Sequence, residues 1–199
     1  MKLYLAGPDV CLPDAVQIGK IKQKLCSQYG FVGLFPLDNE VSPQTGMSLS
    51  QAIFRGNIAM LEDADAVVAN LTPFRGVSAD VGTAFEVGYG YARGKKIYGY
   101  SNIQTPLSDR VRQFLSGSLT RAKDGRLLAS DGLAVEDFGF YDNLMIAEAV
   151  LEGGEEIILP PTDPDDPYHD LGSFKECLRR IKVSANSLYH DDVLPVAQT

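Results

Sequence analysis

Two rhythms of apolar residues run through the first hundred positions. Leu3 to Ala6, Val32 to Phe35, Ala66 to Leu71 and Lys96 to Tyr100 are short runs rich in apolar, β-branched or aromatic residues. Run length and breakers such as Thr72-Pro73 make them buried strands rather than helices. Longer stretches with helical spacing lie between them. One spans Asp14 to Tyr29, with Ile18, Ile21, Leu25 and Cys26 on one side. A second runs from about Leu49 to Glu62, and a third from Asp80 to Arg93-Gly94. Asp80 stands where an N-cap belongs and Gly94 where a helix stops. The alternation predicts parallel βαβ units with right-handed crossovers, an α/β sheet with helices on both faces.

Beyond Ser101 the pattern predicts a helix over Ser108 to Leu115, a hairpin over Arg126 to Val135 turning at Ser130-Asp-Gly132, and a helix over Asn143 to Leu151. Glu156 to Leu159 would add a last strand, for about five in all. Pro160 to Pro167 forms a stiff acidic connector, another helix falls near Ser173 to Lys182, and the end is loose from about His190. The expected division is one domain over residues 1–152 and a C-terminal extension over 153–199, packed on the same domain.

Chemistry concentrates on the third helix. Asp80 and Glu86 are carboxylates at or just beyond the loop after the central strand, and ligands of open α/β sheets bind at the carboxyl ends of strands. On the helix, the positions one turn from Glu86 are Gly82 and Gly90. Each internal glycine costs a helix about 1 kcal/mol against alanine. The pattern leaves one carboxylate on a strip without side chains, open to close approach. Its bland counterpart is a helix packed tightly on the sheet, with Glu86 in water.

Composition narrows the partners. The 199 residues carry a net charge of −8 and no basic run, which argues against nucleic acid, whose binding rests on phosphate neutralisation. No apolar stretch approaches a membrane span, and the apolar start breaks at Gly7-Pro8, too early for a signal peptide. Cys11, Cys26 and Cys177 are widely spaced and form no CxxC, as in a reduced cytoplasmic protein. With only His169 and His190 a metal site is not expected. Gly7-Pro8 is followed by neither GxGxxG nor GxxxxGK, and no cofactor is expected.

Four separated stretches, Leu3-Tyr4-Leu-Ala-Gly7, Pro36-Leu-Asp38-Asn39, Asp80-Val-Gly-Thr-Ala-Phe-Glu86-Val-Gly-Tyr and Asn143-Leu-Met145, match one family in order and spacing. In them the chain resembles the nucleoside 2-deoxyribosyltransferases, a flavodoxin-like (Rossmann-like) group that exchanges the base of 2′-deoxynucleosides. The resemblance implies that Glu86 is the nucleophile, that Tyr4 hydrogen-bonds and orients it, and that Asp80 binds the sugar 5′-hydroxyl or helps proton transfer. Gly7 and Asp38 would border the substrate. Glu40 stands where some members carry a glutamine on the base, and Asn57 where some carry a further aspartate. Asn143 and Met145 would reach a neighbouring subunit's site. The implied substrates are 2′-deoxynucleosides and free nucleobases, and the implied assembly is a homo-oligomer with shared sites.

Residue types fit that chemistry. Cleavage of an N-glycosidic bond passes through an oxocarbenium-like transition state, which a carboxylate can stabilise or trap covalently. A second base then gives transfer, and water gives hydrolysis. Two rivals stay open: an N-glycoside hydrolase acting on nucleosides or their 5′-monophosphates, and a non-catalytic nucleoside-binding module. Without the resemblance, Tyr4 reads as a core tyrosine, Asp38-Asn39 as a turn and Asn143 as a helix cap.

Overall fold

The computed structural model describes residues 1–38 and 46–191, with side chains as far as residue 185. Four parallel strands form the central sheet: β1 (Lys2–Ala6), β2 (Val32–Leu34), β3 (Ala66–Asn70) and β4 (Lys96–Tyr100), in the order β2-β1-β3-β4. This is the flavodoxin-like α/β order, with its topological switch point between β1 and β3.

Strand residues alternate between two buried faces, as a period of two requires. Leu3, Leu5, Val68, Tyr98 and Tyr100 turn to one face, covered by helices α1 (Ala15–Tyr29) and α6 (Gly172–Asp191). Tyr4, Ala6, Val67, Ala69 and Ile97 turn to the other. There they meet α2 (Leu49–Asp63), α3 (Val81–Ala92) and α5 (Leu144–Leu151). The first helix stops at Gly30, whose φ of 87° is the left-handed cap that glycine adopts without strain. Ser48 and Gln51 close a reciprocal capping box at the start of α2.

Several elements differ from expectation. The fifth strand is reduced to one parallel bridge, Tyr100 to Ile158. Ile158 donates to Gly99 O and accepts from Ser101 N, both at 2.9 Å, but Pro160 and Pro161 follow and have no N–H to extend the ladder. Among the described residues the sheet therefore has four strands. Ile21 sits on the outer flank of α1 at 38% exposure, and Lys22 takes the inward position at 2%. Ile18, Lys22 and Cys26 follow the four-residue spacing of one helix face, and Lys22 is held inside by an acid. The expected hairpin is present as β6 (Leu127–Leu128) and β7 (Ala134–Val135), with Gly132 at φ 82° in its turn. A third strand, β5 (Thr120–Arg121), pairs with it; exposed and two residues long, it carries no apolar alternation to betray it.

The remaining helix, α4 (Leu107–Phe114), begins one residue before its expected start, and α6 runs nine residues past its expected end. Phe174, Cys177, Leu178 and Ile181 of α6 are buried, so the segment after residue 152 supplies part of one core face. Residues 192–199, most of the expected loose end, lie outside the described set. Among the described residues no helix is long and apolar enough to cross a membrane.

Candidate active site

The loop after β3 delivers two carboxylates with different surroundings. Asp80 caps α3: its Oδ2 accepts from the backbone N–H of Gly82 at 2.9 Å and of Thr83 at 3.2 Å. A side chain on Gly82 would place its Cβ 2.8 Å from that oxygen, so glycine there leaves room for the cap. Gly90 faces inward; a Cβ would meet Val67 at 2.8 Å and Ile97 at 3.2 Å. It brings the helix down on the sheet, as the bland reading of the glycines had it. That close seating turns Glu86 toward β1 rather than toward water. Tyr4, fully buried in mid-strand, donates its hydroxyl to Glu86 Oε1 at 2.5 Å.

Burial sets the electrostatics. Removal from water favours the neutral acid and is the largest influence on Glu86, pushing its pKa up to about 7. The Tyr4 hydrogen bond opposes this by stabilising the ionised form, and the negative charge of Asp80 adds to the rise. Tyr4 in turn is held well above the ordinary phenol range, by burial first and then by the adjacent carboxylate. A carboxyl balanced near neutrality and a phenol that stays protonated suit a nucleophile and its orienting donor.

A second polar cluster lies under the ends of β1, β3 and β4. Gly7 follows β1, and a Cβ there would fall 2.4 Å from Asp9 Oδ2 and 2.8 Å from Asn70 Cβ. Asp9 is buried in an ion pair with Lys22 Nζ at 2.6 Å. Its other oxygen accepts from Asn70 Nδ2 at 3.2 Å. Lys22 also donates to Tyr100 Oη at 2.8 Å and lies over the Phe174 ring of α6. Asn70 Oδ1 accepts from Thr72 N at 3.1 Å, so the network shapes the chain where it leaves β3. Sequence reasoning missed Asp9, Lys22 and Asn70. The available signal was a lysine at an inward helical position between Ile18 and Cys26.

Two of the other expected site residues, Asp38 and Asn143, serve local structure. Asp38 Oδ2 accepts from Phe35 N at 3.2 Å and from Gln23, which is turn geometry. Asn57 is half-buried on α2, and Glu40 lies outside the described residues. Asn143 caps α5, accepting from Met145 N at 3.0 Å, and Met145 is 73% exposed. Asp142, also missed, is fully buried and accepts from Ala79 N at 2.8 Å, tying the start of α5 to the residue before Asp80. Burial raises its pKa, against the pull of the Asn143 and Ala79 N–H groups. Among the described residues no acidic, histidine or cysteine cluster could hold a metal ion.

Within one chain Asn143 and Met145 do not meet Glu86. They line a groove of about 640 Å³ between α3 and α5, together with Val81, Gly88 and Tyr91. At about 100° per residue, those α3 positions lie roughly opposite Glu86 on the helix. Val81 at 84% exposure and Met145 make this an apolar surface of the isolated chain.

Known proteins with a similar sequence or fold identify the family. The family model described as nucleoside 2-deoxyribosyltransferase matches residues 3–145, well over half of the chain. The chain belongs to that family. It is an enzyme of the nucleoside deoxyribosyltransferase type. A solved 2-desoxiribosyltransferase from Leishmania mexicana is similar at 27% identity, over 89% of this chain and 97% of that one, with a TM-score of 0.58. A conserved protein from Enterococcus faecalis V583 shares the fold at 16% identity, over 91% and 98% of the two chains, with a TM-score of 0.50. An uncharacterized protein of Schizosaccharomyces pombe is 29% identical over 157 residues, 72% of this chain and 74% of its own. The family match takes in Tyr4, Asp80, Glu86 and Asn143, and ends within the first turn of α5.

Proposed function

We propose that the protein transfers the 2-deoxyribosyl group of a 2′-deoxynucleoside from one nucleobase to another through a covalent ester on Glu86. The observation that carries this reading is the Tyr4–Glu86 pair: a largely buried carboxyl with a pKa near 7, oriented by a buried phenol. With Oε1 engaged by Tyr4, Oε2 is the oxygen available to attack C1′. A bond forms between Glu86 and C1′ while the N-glycosidic bond breaks, and the base departs with the electron pair and acquires a proton. A nitrogen of a second base then attacks C1′ and releases the Glu86 carboxylate. Attack by water in that second step gives hydrolysis instead.

Asp80 favours a free nucleoside over its 5′-monophosphate. Helix N-termini bind phosphate through unsatisfied N–H groups. Here the N–H groups of Gly82 and Thr83 already serve Asp80, and that of Ala79 serves Asp142. The sugar 5′-hydroxyl suits Asp80 better, as a donor to its remaining oxygen.

Asn143 and Met145 serve the site of a second subunit in a homo-oligomer. Their placement away from Glu86 and the apolar groove beside them support this, with a second copy of the chain as occupant.

The test is incubation with deoxyadenosine or thymidine, with and without a second free base, followed by chromatography. Transfer predicts a new deoxynucleoside only when the acceptor is present. Free base and deoxyribose regardless of acceptor would make the protein a hydrolase, and binding without turnover would make it a binding module.

A further inference from the structure

The first turn of α5 satisfies its backbone donors with three different side chains. Asn143 N donates to Asp142 Oδ1 at 2.7 Å, Leu144 N to Glu136 Oε2 at 2.8 Å, and Met145 N to Asn143 Oδ1 at 3.0 Å. The Asn143 cap needs only the last of these. Glu136 does more: its Oε1 also accepts from Asn143 Nδ2 at 2.6 Å. Glu136 directly follows β7, and the next residue, Asp137, is ion-paired with Arg121 of β5. The small ribbon thus reaches the Asn143 amide through one carboxylate.

An asparagine amide has two chemically different ends, and an exposed one can present either. An ionised carboxylate only accepts, so it selects the NH2 end. With Oδ1 on Met145 N and Nδ2 on Glu136, the Asn143 amide is fixed in one orientation. One Nδ2 hydrogen is left over. We propose that Glu136 is a positioning residue for base exchange: it locks the Asn143 amide so that this remaining hydrogen is the donor to a sugar hydroxyl in the partner subunit's site. The proposal rests on the reading of Asn143 as a shared-site residue.

The test is a double-mutant cycle on the full-length protein, using Glu136→Gln and Asn143→Ala, with kcat/KM for base exchange and thermal melting as readouts. Glutamine keeps the size of Glu136 but sets an NH2 group against one of two donors, Asn143 Nδ2 or Leu144 N. Loss of a charge-assisted hydrogen bond corresponds to about tenfold or somewhat more. Glu136→Gln should therefore lower kcat/KM about tenfold in the Asn143 protein and less than about twofold in the Asn143→Ala protein, because its effect passes through that amide. An equal loss in both backgrounds, or no loss in the Asn143 protein, overturns the positioning role. Undiminished kcat/KM in Asn143→Ala alone overturns the underlying reading of Asn143 instead. A fall in melting temperature by itself does not support the proposal, since a purely structural contact gives that too.

Discussion

The Tyr4 hydroxyl and Glu86 Oε1, 2.5 Å apart, join the middle of the first strand to the helix that follows the third. The bond thus links β1 to the helix that leaves β3, and these two strands flank the switch point of the sheet, where this fold class places its ligands. It also opposes the effect of burial on Glu86, so the ionised fraction of that carboxyl at neutral pH depends on a residue 82 positions away.

Tyr4→Phe removes the donor that favours ionised Glu86. The acid limb of the kcat/KM profile, expected near pH 7 in the native enzyme, should move upward by about one pH unit, the scale of one hydrogen bond to a charged group. Activity then falls more at pH 6 than at pH 8.5. A limb that stays in place would show that Tyr4 has no influence on the titrating group.

Glu86→Gln should reduce turnover by several orders of magnitude, as loss of a covalent nucleophile does, while stabilising the fold at alkaline pH. The folded protein keeps the Glu86 proton up to about pH 7, whereas the unfolded chain releases it near 4.5. Stability from that proton is complete below 4.5 and is lost as pH rises through 7. Glutamine has no such loss. Denaturant titrations should show Glu86→Gln more stable by about 1–3 kcal/mol at pH 8 and nearly equal to the native protein at pH 4. A gain of the same size at both pH values would contradict the assignment of the raised pKa.

Free 2′-deoxynucleosides should show a higher kcat/KM than their 5′-monophosphates, because a dianion beside Asp80 meets repulsion that a partly dry pocket screens poorly. Asp80→Asn should narrow the gap. A native preference for the monophosphate would favour the hydrolase reading.

Mixed oligomers test the shared site. Glu86→Ala and Asn143→Ala proteins, each strongly impaired alone, should recover activity when subunits exchange, since a mixed dimer holds one pocket with both native residues. Mass spectrometry verifies the exchange. Proven exchange without recovered activity, or a fully active monomer in sedimentation, would place Asn143 outside the reaction.

Lys22→Met should destabilise the protein by about 3–5 kcal/mol, because Asp9 would be left as a buried charge without its partner. The double variant Asp9→Asn, Lys22→Met should recover most of that loss in urea denaturation. Equal destabilisation in the single and double variants would mean that packing, not charge, decides the cost.

What the sequence disclosed follows from the range of the interactions. Strands β1 to β4 and the helices between them are written in local periodicity, and the Asp80 cap in neighbouring residues. The glycines beside Glu86 were visible too, but not that Gly90 faces the sheet while Gly82 makes room for a carboxylate. The pairing of Tyr4 with Glu86 came from family resemblance, because contact across 82 positions leaves no local trace. Lys22 did leave a local signal in its inward helical position, but its partners Asp9, Tyr100 and Phe174 meet it only in the fold. The fifth strand failed on a local rule, since Pro160-Pro161 ends the ladder at one bridge.

The C-terminal helix gives this enzyme a boundary that the family match alone would misplace. The family match stops at Met145, yet Val150, Ile158, Phe174, Leu178 and Ile181, all beyond it, are among the buried residues. A chain cut at that point would lack most of α5 and all of α6. It would open the Leu3–Val68–Tyr100 face to water and uncover one side of the Lys22–Asp9 pair. The stretch that the family model matches and the stretch from which the core is built are different lengths of chain.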